Sequence, residues 1–181
     1  MAAPIAYAAF IRAIGPETHR IMPQAELCAR CDGLGLSGTR SYIASGNLHF
    51  RSPFDAARSA RIVEQAIKGF GLERPVFTRD AGALDVLIAD NPFSEAPHKG
   101  AQAVSVSLFD EDHDPALVAA LLAWPGPERL AVRGRTVYVH YVAGQGTSKI
   151  SPPVIERRLK RVGTARNMST LIALRGLLSS Q

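Results

Sequence analysis

Hydrophobic residues switch between strand-like and helix-like spacing along the first 90 residues of the chain. Apolar residues crowd the start up to Gly15-Pro16, and later runs alternate between a period of two and a period near 3.6. The predicted elements follow the β-α-β-β-α-β order of a ferredoxin-like unit: a strand over 5–12, a helix over 23–33, a hairpin over 40–51, a helix capped by Asp55, and a strand in "RPVFTR".

The same order of elements returns in the second half of the chain. A short helix over 81–89 leads into "DNPFSEAPHKG", whose prolines and turn formers predict a seam between two units, 1–90 and 91–181. We therefore predict an α+β fold of two tandem ferredoxin-like (alpha–beta plait) units with an additional C-terminal helix. The later elements are a strand in "AVSVSLF", a helix capped by Asp114, a hairpin in "RLAVRGRTVYVHYV", a helix in "SPPVIERRLKRVG" that stops at Gly163, and a short strand at 164–166.

The stretch "RSYIASGNLHFRS" at 40–52 indicates a strand, a tight turn and a second strand. Glycine supplies the positive φ of a two-residue hairpin turn and asparagine tolerates it, so Gly46-Asn47 is the predicted turn. Such a turn does not require Ser45, which makes this residue a candidate for binding. Alternation then gives the second strand a polar face with Asn47, His49 and Arg51 and an apolar face with Leu48 and Phe50.

Composition changes this picture little. The 181 residues are 46% hydrophobic and 20% charged, which is ordinary for a chain with a packed core. No apolar run approaches the roughly 20 residues of a membrane span. The apolar N-terminus lacks the basic start of a signal peptide and is interrupted by Arg12. We therefore expect a cytoplasmic protein that does not enter a membrane.

The two cysteines, Cys28 and Cys31 in "CARC", suggest either a redox or zinc site or two core thiols. A redox pair sits at a helix N-terminus, whereas Pro23 in the first turn places both cysteines further along the helix. Zinc would need two more ligands, and the five histidines show no paired spacing. We predict buried thiols in one apolar stripe with Leu27 and Leu34, with no metal and no cofactor.

Charge is distributed unevenly along the chain. From Lys149 to Gln181 there are seven basic residues and one acidic residue, whereas the first 148 residues carry a net charge of −1. This asymmetry favours an anionic partner, nucleic acid above all, although a solvated helix face has the same composition. The predicted polyanion surface consists of Arg157, Arg158, Lys160 and Arg161, with Arg157 and Arg161 on one helix face and Leu159 and Val162 toward the core.

One loop has the composition of an anion-binding nest. "GQGTSKISPP" at 144–153 combines glycines with Thr147, Ser148 and Lys149 ahead of a helix. It does not match a Walker A motif, and its two prolines remove N–H donors from that helix end. No G-x-S-x-G or H-E-x-x-H motif is present, and "NLHFRS" lacks the aromatic pattern of an RNA-recognition motif. The sequence therefore predicts no enzyme class.

"YIASGNLHF" resembles the Y-I-x-S-G-N-[VL]-x-F stretch of the bacterial family called domain of unknown function 1697. The resemblance continues in the same order through "MPQAELCA", "NPF", "VRGRTVYVHY", "SKI" and "GTARNMSTLIAL", and so spans nearly the whole chain. It implies a soluble bacterial protein of two ferredoxin-like units, and it implies no established activity.

Two stretches depart from the pattern of that family. Ala13 and Gly15 in "RAIGPETHR" replace a glycine and an asparagine, while Met168, Ser169 and Ala173 replace tryptophan, asparagine and lysine. These departures remove polar groups, so we expect a ligand site of the relatives to be altered here.

Polar residues that local structure does not require form the predicted ligand-binding set. We hypothesise that they converge near the seam and bind an anionic, phosphate-bearing small molecule or nucleic acid. One alternative is a small-molecule enzyme with its site at the seam, and another is a structural or oligomeric protein whose polar residues cap helices and cross-link the units. The set is Arg12, Ser45, Asn47, Asn91, Ser148, Lys149, Arg166 and Asn167.

Overall fold

Two four-stranded antiparallel sheets contain the eight strands of residues 3–179, the part of the chain that the computed structural model describes. Seven α-helices complete this α+β architecture within the same residues. The chain divides into two compact units, Met1–Asp85 with Ala173–Gln181, and Val86–Ile172. These bounds differ from the halves 1–90 and 91–181, which stay a prediction about domain organisation.

The first sheet belongs to the N-terminal part of the chain. The elements are β1 (Ile5–Ile11), α1 (Pro16–Ile21), α2 (Gln24–Gly33), β2 (Ser37–Tyr42), β3 (Asn47–Ser52), α3 (Ala56–Lys68), β4 (Val76–Asp80) and α4 (Ala81–Ala89). The spatial order of the strands is β2-β3-β1-β4.

Helix α3 begins where its sequence indicates. The carboxylate of Asp55 accepts the backbone N–H of Arg58 at 2.7 Å, so Asp55 is the N-cap as predicted. One face of α3 packs on the sheet beside α2, because its apolar residues recur at helical spacing. The core of the first unit includes Tyr7, Ala9, Ile11, Leu27, Cys31, Leu48, Phe50, Val63 and Ile67.

Two features of the first unit differ from the sequence-based expectation. A short helix, α1, occupies the segment after Gly15, where only a chain stop was expected, because Pro16 starts a helix as well as ending a strand. Leu34 follows the end of α2 and is 38% exposed, so it does not continue the apolar stripe.

The second sheet repeats the strand order of the first. The elements are β5 (Val104–Leu108), α5 (Pro115–Leu122), β6 (Arg129–Arg133), β7 (Thr136–His140), a 3-10 turn (Gln145–Thr147), α6 (Pro152–Leu159), β8 (Thr164–Asn167) and α7 (Met168–Ser179). The spatial order is β6-β7-β5-β8, which corresponds strand by strand to the first sheet.

The core of the second unit lies between its sheet and the helices α5 and α6. Leu121, Ile155 and Leu159 of these helices pack in one cluster with Val137 and Val139 of β7. The side chains on both faces of the inner strand β5 are buried, its serines included. Within residues 3–179, no helix combines the length and apolar character needed to cross a membrane.

Candidate functional site

The hairpin corner is a four-residue loop, so the prediction of a two-residue turn at Gly46-Asn47 is wrong. Strand β2 ends at Tyr42 and β3 begins at Asn47, and these two residues are register partners. Positive φ angles of 49° at Ile43 and 74° at Gly46 reverse the chain between them. Asn47 is therefore a strand residue, and only Gly46 of the predicted pair belongs to the turn.

The carbonyl oxygens of this loop accept hydrogen bonds from side chains and from one backbone N–H. The side-chain amide of Asn47, which is 1% exposed, donates to the Tyr42 carbonyl at 3.2 Å and to Ser45 Oγ at 2.9 Å. Ser45 and Asn47 are thus part of the hydrogen bonding of the loop itself. The other contacts are Gln24 Nε2 to Ile43 O at 3.3 Å, His19 Nε2 to Ala44 O at 2.7 Å, and Ile11 N to Gly46 O at 2.8 Å.

Arg12 and Asn91 lie just beyond the ends of elements. Arg12 is half-buried after β1, and its backbone N–H donates to the Pro75 carbonyl at 3.0 Å. The next residue, Ala13, has a φ of 56°, in the left-handed region that favours the glycine of the family pattern. Asn91 forms an Asx turn in which its Oδ1 accepts the N–H of Phe93 at 3.1 Å. Local structure accounts for Asn91.

In the glycine-rich loop, the hydroxyl groups of Thr147 and Ser148 both donate to acceptors within the protein. Thr147 Oγ1 hydrogen-bonds main-chain carbonyl oxygens at 3.1 Å, and Ser148 Oγ donates to the carboxylate of Glu128. Lys149 is exposed. A carboxylate against Ser148 repels anions, so this geometry disfavours the predicted nest.

Glu128 is a buried carboxylate that the sequence analysis missed. It is 9% exposed and accepts hydrogen bonds from Ser148 Oγ and, at 2.7 Å, from Trp124 Nε1. Burial raises the pKa of Glu128, but these two hydrogen bonds and one from its own backbone together lower it, and the pKa lies below its ordinary value. Burial and the charge of Glu128 raise the pKa of Tyr141 to about 12. In the sequence, the stretch "WPGPE" could have indicated this contact, because only a Pro-Gly-Pro turn separates the indole of Trp124 from the carboxylate of Glu128.

Arg166 and Asn167 lie on β8, at the edge of the second sheet. Arg166 is half-buried and donates to Thr164 Oγ1 at 2.8 Å, and burial lowers the pKa of Arg166 to about 10. Consecutive strand residues point to opposite faces, so Arg166 and Asn167 do not share one. Their register partners on β5 are Val106 and Ser105. The convergence of the eight predicted residues stays a prediction.

The predicted helix of the polyanion surface is shorter than expected. Helix α6 ends at Leu159 rather than near Gly163, because Lys160 adopts a left-handed conformation with φ 52°. Arg161 lies beyond the helix, so its predicted shared face with Arg157 is wrong. Val162 is 56% exposed rather than turned toward the core.

Two members of the polyanion surface are engaged with neighbours in the second unit. Arg161 Nε forms an ion pair with Glu111 at 3.3 Å, and the guanidinium carbon of Arg158 lies 4.9 Å from the ring centroid of Trp124. Arg157 and Lys160 are exposed. Glu111 therefore offsets part of the positive charge that the sequence places at residues 149–181.

Both cysteines are free thiols. Cys31 is buried and Cys28 is half-buried. Burial, with smaller effects of Cys28 and Asp32, raises the pKa of Cys31 to about 12, and burial also raises the pKa of Cys28. Thiols with raised pKa values are poor nucleophiles. In the described part of the chain, no group of three or more His, Cys, Asp or Glu residues could hold a metal ion.

We expect iodoacetamide at pH 8 to modify Cys28 faster than Cys31 in the folded protein, by about tenfold or more, because Cys31 is fully buried and has the higher pKa. Arg30 separates the cysteines, so mass spectrometry of tryptic peptides measures both rates. In denaturant the two rates should converge. Equal rates in the folded protein would contradict the assignment of Cys31 to the core.

A concavity beside α3 brings two arginines together over a partly apolar floor. Arg58 and Arg61 are one helical turn apart, so their Cβ atoms are separated by about 5–6 Å. The lining contains no carboxylate. We name this feature the arginine concavity; it has a volume of about 380 Å³ and is lined by Leu34, Phe54, Arg58, Arg61, Ile62 and Gln65.

Phe54 positions Arg58 within the arginine concavity. The guanidinium carbon of Arg58 lies 3.8 Å from the centroid of the Phe54 ring, which is a cation–π contact. The carboxylate of Asp55 binds the backbone N–H of Arg58 rather than its guanidinium. Among residues 3–179, no carboxylate forms an ion pair with Arg58 or Arg61. Two neighbouring cations without a counter-ion are typical of a site that binds anions.

Two further concavities adjoin α3, and Gln65 lines both. In the larger one, of about 500 Å³, Lys68 pairs with Glu73 at 3.6 Å. In the smaller one, of about 300 Å³, Arg30 pairs with Glu26 at 2.9 Å. Arg74 also lines the larger concavity and donates to the Glu73 backbone carbonyl at 2.9 Å. The arginine concavity differs in that neither of its two cations pairs with a carboxylate of residues 3–179.

The segment "GLGLSG" at 33–38, which contributes Leu34, matches the spacing G-x-G-x-x-G. A dinucleotide-binding motif of this type follows a strand and opens a helix. Here the order is reversed, since α2 ends at Gly33 and β2 begins at Ser37. This match therefore indicates a loop at a helix end and no phosphate cradle.

The fold and these sites define an α+β protein with two antiparallel sheets of the same strand order. The model of the family described as "Protein of unknown function (DUF1697)" matches residues 5–138. The chain belongs to this family, which confirms the resemblance seen in the sequence.

The solved structure of conserved bacterial protein SP0830 from Streptococcus pneumoniae is similar to this chain. The TM-score is 0.74 at 20% sequence identity, and the match covers 98% of this chain and 99% of the other. At this identity the likeness shows the fold alone. No curated protein matches the chain.

Proposed function

We propose that the chain binds a phosphate-bearing anion in the arginine concavity. The observation that carries this proposal is the pair of neighbouring guanidinium groups, Arg58 and Arg61, in a lining without a carboxylate. The planar fork of arginine binds phosphate through two parallel hydrogen bonds, and a second guanidinium matches the remaining charge. The lining is mostly polar, which suits a ligand recognised chiefly by its charge.

We further propose that each unit is a ferredoxin-like plait. The spatial order β2-β3-β1-β4, repeated as β6-β7-β5-β8, supports this proposal. Helices follow the first and third strand of each unit, as the β-α-β-β-α-β motif requires.

The eight residues predicted from sequence remain a separate proposal for an anion site. Hydrogen bonds inside loops engage Ser45, Asn47, Asn91 and Ser148, which favours structural roles for these four. Lys149 is exposed and keeps the properties of a phosphate ligand. The arginine concavity has the stronger support because its cations share one lining.

Nucleic-acid binding by the basic surface is a second candidate function. The exposure of Arg157 and Lys160, with Arg158 stacked on an indole, favours it. Such binding would weaken steeply with salt because each phosphate contact releases counter-ions. The acidic neighbour of Arg161 argues for fewer contacts than the sequence predicts.

Titration calorimetry with inorganic pyrophosphate tests the proposed site. We expect a dissociation constant of about 0.1–1 mM at about 50 mM salt, because charge-assisted hydrogen bonds to an exposed anion give modest affinity. The double variant Arg58→Gln with Arg61→Gln should weaken binding about tenfold or more.

The matched control is Arg157→Gln with Lys160→Gln, which removes two exposed charges outside the arginine concavity. This control should change the pyrophosphate affinity less than about twofold. If the control lost pyrophosphate binding while Arg58→Gln with Arg61→Gln retained it, the anion would bind at the basic surface instead. No binding by the wild type would contradict the proposed function.

A further inference from the structure

We infer that the ligand of the arginine concavity is a nucleoside monophosphate, with its base stacked on Arg58 and its phosphate bound by Arg61. This inference rests on the proposed function and adds the chemical class of the body that carries the phosphate. It follows from the different settings of the two arginines.

Arg58 is built as a stacking platform. The guanidinium carbon of Arg58 lies over the Phe54 ring, 3.8 Å from its centroid, while Arg58 itself is exposed. Phe54 is half-buried and packs against the core of the first unit, and its backbone N–H donates to Ser52 Oγ at 3.1 Å. A planar cation held on an aromatic ring offers its second face to another planar group, and nucleobases stack on guanidinium planes in this way.

The remaining lining is mostly polar, with a smaller aliphatic part that includes Leu34. Gln65 adds an amide that both donates and accepts, as the edge of a base requires. The volume of about 380 Å³ lies at the small end of ligand sites, which favours one nucleotide over a longer strand.

Arg61 is the phosphate ligand in this arrangement. It is exposed, one helical turn from Arg58, and no ring stacks on it within residues 3–179. Its fork is therefore available for a bidentate contact with phosphate oxygens. A base on Arg58 and a phosphate on Arg61 would lie within the reach of one nucleotide.

The test compares AMP, ribose 5-phosphate and inorganic pyrophosphate on wild type and on Arg58→Lys, by calorimetry under one set of conditions. Lysine keeps the charge of Arg58 but has no planar face to stack. We expect wild type to bind AMP about tenfold or more tighter than ribose 5-phosphate. Arg58→Lys should lower the affinity for AMP to that for ribose 5-phosphate, and AMP should lose several-fold more affinity than pyrophosphate, which has no base to stack. Thermal unfolding of the variant checks its fold.

Three results would overturn the inference while leaving the proposed function in place. One is equal binding of AMP and ribose 5-phosphate by the wild type. Another is a variant that loses pyrophosphate and AMP to the same extent, which would make Arg58 a charge contact only. A six-nucleotide single-stranded RNA that binds more than about tenfold tighter than AMP would likewise overturn the choice of a free nucleotide. Absence of pyrophosphate binding would contradict the proposed function itself.

Discussion

Replacement of Gly46 by alanine should destabilise the protein by about 3 kcal/mol. Gly46 has a φ of 74°, and an added Cβ would lie 2.5 Å from Ile14 Cγ1 and 3.1 Å from the Ile11 carbonyl oxygen. The left-handed backbone and the steric overlap both oppose the side chain. The Ile11 N–H donates to the Gly46 carbonyl, so the loop cannot move away without loss of that hydrogen bond. Urea denaturation of the variant measures the change in the free energy of unfolding.

Gly38→Ala is the matched control for this prediction. Gly38 also has a positive φ, of 63°, but a Cβ there would have no neighbour within 4 Å. We expect a cost of about 1 kcal/mol, from backbone strain alone. Equal effects of the two substitutions would contradict the close packing of Gly46 against Ile14.

Replacement of Glu128 by alanine should destabilise the protein by about 2 kcal/mol. Trp124 Nε1 and Ser148 Oγ both donate to this carboxylate; its removal leaves the partly buried indole N–H without an acceptor and leaves Ser148 Oγ only the Ile150 carbonyl. The loop at 144–149 should also become more susceptible to proteolysis, since Ser148 connects it to Glu128. Glu95→Ala is the control, because Glu95 pairs with Arg129 in an exposed position and its loss should have a smaller effect.

The same carboxylate should contribute to the acid sensitivity of the protein. Its pKa in the folded chain lies below the ordinary value of 4.5, so its stabilising contribution is complete above pH 4.5 and is lost as the pH falls through the folded pKa. Glu128→Gln cannot ionise, and its stability should therefore fall less than that of wild type below pH 4.5. Parallel stability curves for the two proteins in that range would contradict the lowered pKa.

Local sequence rules predicted most of the elements because each depends on nearby residues. Asp55 and Asp114 each accept a backbone N–H at a helix start, and Gly134 takes the positive φ of the second hairpin. The strand order could not be obtained in the same way, since pairing between β1 and β4 joins residues about 70 positions apart. The β-α-β-β-α-β order of the predicted elements supplied the expectation of a ferredoxin-like sheet, and the family resemblance agreed with it.

The site residues were predicted less accurately than the elements. The chemistry of a side chain depends on its tertiary partners, which residue type alone does not reveal. Ser148 looked like a phosphate ligand beside glycines, but it donates to a carboxylate 20 residues away. Arg161 looked exposed on a helix, but the helix ends earlier and Glu111 pairs with it. The arginine concavity requires Leu34 and Phe54 beside α3, a juxtaposition that no single stretch of sequence contains.

The most direct test of phosphate binding in the arginine concavity is an NMR titration that follows the arginine Nε–Hε resonances while inorganic pyrophosphate is added. Assignment uses the variants Arg58→Gln, Arg61→Gln and Arg157→Gln. Binding in the arginine concavity should produce saturable shifts at Arg58 and Arg61 with one dissociation constant, and no comparable shift at Arg157. Shifts confined to Arg157, or none at Arg58 and Arg61, would contradict it.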